Sequence, residues 1–366
     1  MGQRASPLEG VVMMAYVDLD FFKDKRVFVT GHTGFKGAWL CRILIGAGAV
    51  VTGYSLSAPT EPNLFALADL ERQMTSVIGD IRERDALMSV FQEAQPEIVL
   101  HLAAQPIVRD SYKEPAYTYE TNVIGTLNIL ECIRLNPGVK SFLNVTTDKV
   151  YHNNEWIWAY REGEPLDGFD PYSNSKSCSE LMTHSYKNSF FADSNVAIST
   201  ARAGNVIGGG DFANDRVIPD CVRAVRAGKP MGVRNPQSTR PYQHVLEPLF
   251  AYLMICQRQY EDGRFSGWYN VGPDECDCVT TGQLVAMFQE NWGKDFSWID
   301  QSEPNTPHEA NFLKLDSSKL KAAFGWTPRW HITEAIKQTI AWTRVWLAGD
   351  NIPAEMDREI DAYLGC

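Results

Sequence analysis

The sequence predicts an α/β fold in which helices cover both faces of a doubly wound parallel sheet, with a smaller mixed α/β domain at the C-terminal end. Six short apolar runs rich in β-branched residues alternate with longer amphipathic stretches between residues 26 and 206. Strands that read as continuous apolar runs are typical of parallel sheets buried on both faces. After about residue 206 the alternation gives way to helical stretches joined by short strands and proline-bearing loops, which indicates the second domain.

The elements follow from these patterns in chain order. Strands are predicted at 26–31, 49–56, 75–80, 97–104, 140–148 and 195–206. Helices are predicted at 35–47, 82–94, 115–135, 172–191, 217–228, 245–260, 280–292, 316–324 and 331–347. The resulting division is an N-terminal extension (1–20), a sheet domain (21–206), a smaller and mainly substrate-binding domain (207–350) and a C-terminal tail (351–366).

Charge and cysteine content exclude several classes of protein. A net charge of −11 disfavours nucleic acid and membranes as partners, because both bind basic surfaces. The eight cysteines are scattered without a CxxC pair, which favours the reduced thiols of a cytoplasmic protein over a disulfide framework. Cys276 and Cys278 form a lone CxC, so no metal site is predicted.

The first predicted strand leads directly into a glycine-rich loop with Gly31, Gly34 and Gly37. This spacing permits a tight turn, close approach of the backbone to a pyrophosphate, and packing of the next helix on the sheet. The helix N-terminus then offers free amide groups to the phosphates. In this context the loop indicates a dinucleotide-binding Rossmann domain.

The choice between NAD and NADP stays open at this point. The second strand ends at residues 53–56 without the acidic residue that usually binds the ribose hydroxyls of NAD. Lys36 lies inside the glycine loop and could favour the 2′-phosphate of NADP. Asp80 follows the third strand and is a candidate acceptor for the adenine amine. NAD is the cofactor we expect.

Tyr172 and Lys176 stand four residues apart at the start of a predicted helix, which places them on one face. A nearby ammonium favours the phenolate, so a lowered pKa of Tyr172 is expected. Such a tyrosine can take a proton from an alcohol while hydride leaves the same carbon. Thr147 ends the fifth strand and places a hydroxyl at the same edge of the sheet.

Together these motifs resemble the extended short-chain dehydrogenase/reductase family over about residues 26–347. The chain has TGxxGxxG at 30–37, LAA at 102–104, NVxGTxN at 122–128, YxxxK at 172–176 and RxxNV at 202–206. Six longer segments resemble the members of this family that act as 4,6-dehydratases of CDP-glucose. They are GHTGFKGAWL (31–40), LAAQPIVRDSY (102–112), TTDKVYHNNE (146–155), ARAGNVIGGGD (201–211), RVIPD (216–220) and RPYQHVLEPL (240–249).

The resemblance implies a hydro-lyase that converts CDP-glucose to CDP-4-keto-6-deoxyglucose through bound NAD, in deoxysugar and polysaccharide biosynthesis. Tyr172 takes the 4-hydroxyl proton, Thr147 steadies the 4-oxygen, and Lys176 assists Tyr172. Lys149 removes the C5 proton, and Asp148 donates a proton to the departing C6 hydroxyl. The dTDP-glucose enzymes have Asp-Glu at this position, whereas the CDP-glucose type resembles this chain in having Asp-Lys. Helices 115–135 and 173–191 imply a homodimer.

The expected binding residues form two sets. The cofactor set is Gly31, Thr33, Gly34, Phe35, Lys36, Gly37, Asp80, Ile81, Leu102, Ala103, Ala104, Gln105, Asn122, Thr146, Tyr172 and Lys176. The substrate set is Asn205, Arg216, Val217, Ile218, Arg234, Arg240 and His308. Arginines suit a diphosphate, and the resemblance places Asn205 and Arg240 on the diphosphate and Val217 and Ile218 on the nucleoside.

Two alternatives remain open at this stage. One is a related nucleotide-sugar enzyme, either a 4,6-dehydratase with another nucleotide or a 4-epimerase. The other is a non-catalytic NAD(P)-sensing protein, which the retention of the tyrosine and lysine disfavours. The Asp148-Lys149 pair favours a dehydratase over an epimerase, because loss of water needs additional acid and base groups.

Overall fold

The computed structural model describes residues 17–302 and 312–365. Seven parallel strands form the main sheet: β1 (Arg26–Thr30), β2 (Val50–Ser55), β3 (Thr75–Ile78), β4 (Ile98–His101), β5 (Ser141–Thr147), β6 (Ala197–Ala203) and β11 (Trp268–Val271). Their spatial order is β11-β6-β5-β4-β1-β2-β3. Short strands make three further pairs: β7 (Val206–Ile207) with β10 (Gln243–His244), β8 (Met231–Val233) with β13 (Trp298–Asp300), and β9 (Thr239–Pro241) with β12 (Cys278–Thr280).

The helices flank the sheet and build the second domain. Those in the first half are α1 (Phe35–Gly46), α2 (Leu64–Leu67), α3 (Arg84–Ala94), α4 (Val108–Lys113), α5 (Pro115–Tyr119), α6 (Gly125–Leu135) and α7 (Pro171–Phe190). Those in the second half are α8 (Val217–Ala227), α9 (Leu246–Glu261), α10 (Thr281–Trp292), α11 (Ser318–Phe324), α12 (Ile332–Ala348) and α13 (Ile352–Leu364). The doubly wound parallel sheet predicted from the sequence is confirmed.

Alternation along the central strand β1 explains the two covered faces. Val27 and Val29 belong to the apolar core shared with α1 and α9, whereas Phe28 belongs to the core shared with α3 and α6. All three side chains are buried. Because successive side chains of a strand point to opposite faces, an unbroken apolar run requires helices on both sides.

The chain returns to the sheet after residue 206, which the sequence pattern did not reveal. Strand β11 pairs in parallel with β6 and completes the edge of the sheet. Helix α9 packs on β5 and β6, and its interior residues are buried. Residues 246–271 therefore belong to the layers of the sheet domain. Helices α11 and α13 also pack in the core of the sheet domain, whereas α8, α10 and the first turns of α12 form a separate apolar core that includes Ile218, Phe288 and Ile336.

The segment predicted as one long helix over 115–135 is continuous but not uniform. Between α5 and α6, Glu120–Ile124 adopts a π-helical turn. Such turns widen a helix locally and are frequent near functional sites. Here the turn contains Thr121 and Asn122, both buried against the sheet domain.

The last described segment forms α13, although its residues were predicted as a tail. The ring of Tyr363 stacks on Phe250 at a centroid distance of 4.8 Å, and its hydroxyl donates to Glu247 at 2.9 Å. Burial raises the pKa of Glu247, while hydrogen bonds from the Arg329 and Trp330 amides and from Tyr363 oppose that rise. The helix is therefore anchored through a buried carboxylate. Of the predicted extension 1–20, residues 1–16 lie outside the described chain.

The seven cysteines among the described residues are free thiols. Cys41, Cys132, Cys221 and Cys256 are buried in the apolar interior, as expected for reduced thiols used as small hydrophobic residues. Within residues 17–302 and 312–365, no helix combines the length and apolarity needed to cross a bilayer.

We expect Tyr363→Phe to lower the free energy of unfolding by about 1–3 kcal/mol, because a buried carboxylate loses one hydrogen-bond donor. Urea denaturation measures this loss. Tyr260→Phe is the matched control, since its hydroxyl donates to the partly exposed Glu97 at 3.1 Å, where water can replace it. Equal losses for the two variants would contradict the role assigned to the buried Glu247.

Candidate active site

A cavity of about 1120 Å³ lies between the carboxyl ends of the parallel strands and the second domain. Loops that follow β1, β2, β3, β4, β5 and β6 contribute to its walls. This is the location at which open α/β sheets bind ligands, because strand order reverses there and leaves a crevice. The volume is suited to a dinucleotide together with a second nucleotide.

The glycine loop forms one end of the cavity, and two of its glycines are required by close contacts. Gly31 has φ +76°, and a Cβ there would lie 2.8 Å from the Ala103 amide nitrogen. A Cβ on Gly37 would lie 2.1 Å from the Gly31 carbonyl oxygen. Gly34 caps α1 from an extended conformation and leaves the amides of the first turn free for an anion.

The end of β2 carries neither an acid nor an arginine next to the cavity. Thr33 Oγ1 hydrogen-bonds Ser55 Oγ at 2.6 Å, which ties the glycine loop to β2. Asp80 lines the cavity and forms a 2.7 Å salt bridge with Arg82. That hydrogen-bonded pair lowers the pKa of Asp80. A charged acceptor is thus present on the side where an adenine would lie.

Lys36 lies among charged side chains of the catalytic residues, and its suggested contact with a 2′-phosphate stays a prediction. Burial, together with the charges of Arg216, Lys176 and Lys149, lowers the pKa of Lys36 to about 7 against the opposing charge of Asp148. These neighbours belong to the catalytic end of the cavity. The lysine of the glycine loop therefore adds charge beside the reacting sugar.

The end of β5 directs three successive side chains toward the cavity. The strand stops at Thr147, and Asp148–Val150 forms a single 3₁₀ turn in which the usual alternation ends. Asp148 is fully buried, and its Oδ1 accepts hydrogen bonds from Thr147 Oγ1 at 2.9 Å and Lys149 Nζ at 3.1 Å. Lys149 Nζ also donates to Asn205 Oδ1 at 3.3 Å.

The second carboxylate oxygen of Asp148 is the more informative one. Asp148 Oδ2 is buried and has no hydrogen-bond partner among the described residues. A buried acceptor without a donor is costly. The atom is therefore suited to form a hydrogen bond with a ligand hydroxyl. Lys149, with 22% of its side chain exposed, lies at the cavity surface beside it.

Tyr172 and Lys176 project from the first turns of α7. Asp170 caps this helix by accepting from the Ser173 amide at 3.0 Å, and Pro171 occupies its first position. Both functional side chains line the cavity and are buried. Lys176 Nζ donates to the Val145 carbonyl at 3.3 Å, which fixes it against β5.

The expected lowering of the Tyr172 pKa is wrong for the chain by itself. Burial raises the pKa of Tyr172 to about 12, and Asp148 adds to the rise, while a hydrogen bond with Thr147 and the charge of Arg216 oppose it. Burial also lowers the pKa of Lys176 to about 8. Removing water from both groups disfavours both charged forms. The sequence motif showed their proximity but not their desolvation.

The predicted substrate arginines lie on the opposite wall. Arg216 interacts with Asp211 at 3.4 Å, and Arg234 forms a 2.7 Å salt bridge with Asp215. The buried Arg240 donates to the Thr239 carbonyl at 3.0 Å. All three line the cavity, as do Asn205, Val217 and Ile218. His308 lies outside the described residues.

The cavity brings together the predicted cofactor residues with one exception. Those on its wall are Gly31, Thr33, Gly34, Phe35, Lys36, Gly37, Asp80, Ile81, Leu102, Ala103, Ala104, Gln105, Thr146, Tyr172 and Lys176. Asn122 is not on the wall. Its side chain accepts from the Gln105 amide at 2.9 Å and donates to Ser175 Oγ at 2.9 Å. Asn122 therefore holds the loop after β4 in place without lining the cavity.

Two groups were missed by the sequence reasoning. Arg109, on α4, lines the cavity between the glycine loop and the second domain. Glu180 lies one helical turn after Lys176 and is fully buried against the sheet. The sequence offered one signal for Glu180: it follows Tyr172 by eight residues, and residues at this interval share a helix face.

The fold brings the first cysteine of the CxC pair close to other potential metal ligands. Cys276, Asp277 and His331 place one potential ligand atom each within 4.8 Å of the others. Asp277, however, caps α12 by accepting from the Ile332 amide at 3.0 Å and binds His331 Nδ1 at 2.8 Å. Helix capping accounts for this arrangement.

Comparison with known proteins agrees with this geometry. Residues 28–339 match the family model described as GDP-mannose 4,6 dehydratase. The chain is 48% identical over 354 residues to the CDP-glucose 4,6-dehydratase of Salmonella typhimurium, covering 95% of this chain and 98% of that protein. It is 27% identical to a dTDP-glucose 4,6-dehydratase of Xanthomonas campestris, with coverage of 88% and 94%.

The fold and the site define an extended short-chain dehydrogenase/reductase. More particularly, the chain belongs to the family of nucleotide-sugar 4,6-dehydratases, which are hydro-lyases. Among solved structures, the UDP-glucose 4-epimerase of Thermus thermophilus in complex with NAD is similar, with a TM-score of 0.76 and 26% identity. That likeness covers 87% of this chain and 98% of the other.

We expect Gly37→Ala to weaken dinucleotide binding by about tenfold or more, because overpacking the loop costs ~1–3 kcal/mol. Calorimetric titration of cofactor-free protein with NAD measures the change. Gly46→Ala is the control in the same helix, since nothing lies within 4 Å of its added Cβ. Undiminished binding by Gly37→Ala would show that the loop is not the cofactor cradle.

Proposed function

We propose that this protein is an NAD-dependent CDP-glucose 4,6-dehydratase that forms CDP-4-keto-6-deoxyglucose and water. The observation that carries the proposal is the Asp148–Lys149 pair, which lies in the same cavity as Tyr172 and Lys176. An epimerase has no need of an additional acid and base at this position. The 48% identity to the Salmonella enzyme supports the choice of CDP-glucose.

The residues of the glycine loop fit NAD. Gly31 and Gly37 lack side chains, which allows the loop to turn tightly. A pyrophosphate can then approach the first turn of α1. Lys36 lies among the charged groups of the catalytic end, and no arginine stands at the end of β2, which disfavours a 2′-phosphate. Bound NAD would accept the C4 hydride and give it back at C6, while the proton taken up by Lys149 returns to C5.

Each catalytic side chain has a separate role in the proton transfers. Tyr172 takes the proton of the 4-hydroxyl, while Thr147 holds the 4-oxygen by hydrogen bonding. The resulting ketone makes the C5 proton acidic, and Lys149 removes it as the general base. Asp148 delivers a proton to the C6 hydroxyl, which leaves as water. The buried and unpartnered Oδ2 of Asp148 is the atom suited to this donation.

Anchoring of the nucleotide falls to the second domain. Arg216, Arg234 and Arg240 offer charge-assisted hydrogen bonds to the diphosphate, with Asn205 beside Lys149 as an amide contact. Val217 and Ile218 begin α8 and present apolar surface to the nucleoside. The second domain thereby holds the sugar with its C4–C6 edge toward Tyr172.

A homodimer is the assembly we propose. Tyr119 and Ile124, in the α5–α6 segment, and Leu181 and Phe190, on α7, are exposed although apolar. The two segments pack against one another and form one surface. A second copy would cover it. The free thiols suit a reducing compartment, and we propose a cytoplasmic location.

The substrate is tested by incubating the protein with CDP-, dTDP-, UDP- and GDP-glucose in separate reactions without added reductant. The expected result is loss of one water by mass spectrometry with CDP-glucose, and an alkaline enone absorbance in the product. No turnover of CDP-glucose by folded, NAD-loaded protein would refute the proposal. Interconversion of C4 epimers without water loss would favour the epimerase alternative.

Lys149→Met should reduce product formation by about 10²–10⁴-fold, the usual contribution of a general base. Oxidation at C4 does not need this base. The variant should therefore still develop the near-ultraviolet absorbance of reduced nicotinamide when mixed with CDP-glucose.

Tyr172→Phe is the contrasting variant and should lose both the absorbance and the product. Lys294→Met, at a lysine outside the cavity, should behave as the unchanged protein. Full turnover by Lys149→Met would overturn the assignment of the base.

A further inference from the structure

Glu180 occupies the centre of a buried polar network behind the catalytic tyrosine and lysine. Its Oε1 accepts from Thr146 Oγ1 at 2.5 Å and from Arg202 Nε at 3.1 Å. Its Oε2 accepts from Thr200 Oγ1 at 2.7 Å and Arg202 at 2.9 Å, and lies 3.2 Å from His184. The network joins α7 to β5 and β6, so the carboxylate has one fixed position.

The network keeps Glu180 ionised. Burial alone would raise the pKa of Glu180, but the Arg202 charge and the hydrogen bonds from His184, Arg202 and Thr146 hold it at about 2. Arg202 is itself held in place, because it also donates to the Tyr151 hydroxyl at 2.8 Å. Glu180 therefore carries a full negative charge throughout the neutral and alkaline range.

That charge lies on the helix face that presents Tyr172 and Lys176. The three residues are spaced at i, i+4 and i+8, which stacks them along α7. Lys176 is buried, and burial lowers its pKa to about 8, while the opposing influence is Glu180. The Lys176 ammonium donates a hydrogen bond to the Val145 carbonyl, which carries no charge.

The other charged groups around Lys176 do not stabilise an ammonium. Lys36 from the glycine loop and Lys149 after β5 are basic side chains that supply no negative charge, and Asp148 is engaged by Lys149 at 3.1 Å. His101 on β4 is neutral, because burial lowers its pKa to about 3. Glu180 is thus the anion available on α7 to offset the desolvation of Lys176.

We propose that Glu180 is a positioning residue that keeps Lys176 in its ammonium form beside Tyr172 and thereby sets the alkaline limit of the first proton transfer. The effect on turnover rests on the proposed function, whereas the effect of Glu180 on the charge of Lys176 does not. Tyr172 needs this support because its pKa is raised by burial, and a neighbouring ammonium favours the phenolate. Arg202 acts one step further away by holding Glu180.

The sign of the effect follows from the charge. The Lys176 ammonium is present below its pKa of about 8 and is lost as pH rises through that value. Removing the negative charge of Glu180 lowers the pKa of Lys176 further, because an opposite charge favours the ammonium. The ammonium, and the activity that depends on it, then disappear at a lower pH.

The test is a lysine side-chain NMR titration of Glu180→Gln labelled with ¹³C- and ¹⁵N-lysine, with the Lys176 signal assigned by its absence in Lys176→Arg. The expected result is titration of Lys176 at least about one unit below the unchanged protein. The alkaline limb of the pH profile with CDP-glucose should move by the same amount. Glu180→Asp, which keeps the charge, should restore most of both shifts.

Thr200→Val is the matched control, because it removes one hydrogen bond to Glu180 and leaves the charge. It should lower the unfolding temperature without moving the Lys176 titration. If Glu180→Gln fails to fold with Arg202 unpaired, Glu180→Gln combined with Arg202→Met removes both charges and should shift the titration in the same direction.

An unchanged Lys176 titration in a folded Glu180→Gln or double variant would overturn the proposal and leave Glu180 a structural residue. Absence of turnover by the unchanged protein would instead refute the proposed function. The NMR titration would still decide the role of Glu180 in that case, because it requires no substrate.

Discussion

The termination of β5 at Thr147 is the constraint on which the site depends. A strand that continued would send Asp148 and Lys149 to opposite faces of the sheet. The 3₁₀ turn that follows Thr147 removes this alternation, and the Thr147 hydroxyl caps the turn by accepting from the Lys149 amide at 3.4 Å. An acid and a base thereby enter one cavity from adjacent positions. The parallel sheet brings Tyr172 and the glycine loop to the same edge.

The cavity is rich in basic side chains, although the chain as a whole is acidic. The protein has a net charge of −11, yet Lys36 is influenced by three basic side chains, Arg216, Lys176 and Lys149, and by the single carboxylate of Asp148. A buried excess of cations is costly unless an anion is bound. Substrate and cofactor both carry diphosphates, so their binding relieves this cost. The same desolvation lowers the pKa of Lys36 and Lys176 and raises that of Tyr172.

Much of this arrangement could be predicted from residue patterns, since buried parallel strands and a glycine loop have strong local signals. Strand β11 could not, because the run from Trp268 to Val271 is too short to distinguish from a loop. Helix α13 was interpreted as a tail, although its start carries two ordinary signals: Asn351 caps it, and Pro353 lies in its first turn. The sequence also could not predict the direction in which a side chain points. A motif shows that Lys36 is in the loop, but only the fold shows which neighbours it meets.

The position of β11 at the edge of the main sheet has a consequence for synthesis of the chain. Strand β6 is buried between β5 and β11, yet β6 ends at Ala203 and β11 begins only at Trp268. Until then a nascent chain exposes an unpaired strand edge, which is prone to aggregate. The sheet domain therefore cannot be completed on the ribosome before much of the second half has emerged. Both halves of the chain contribute to the main apolar core, which contains residues of α1 as well as of α9 and α13.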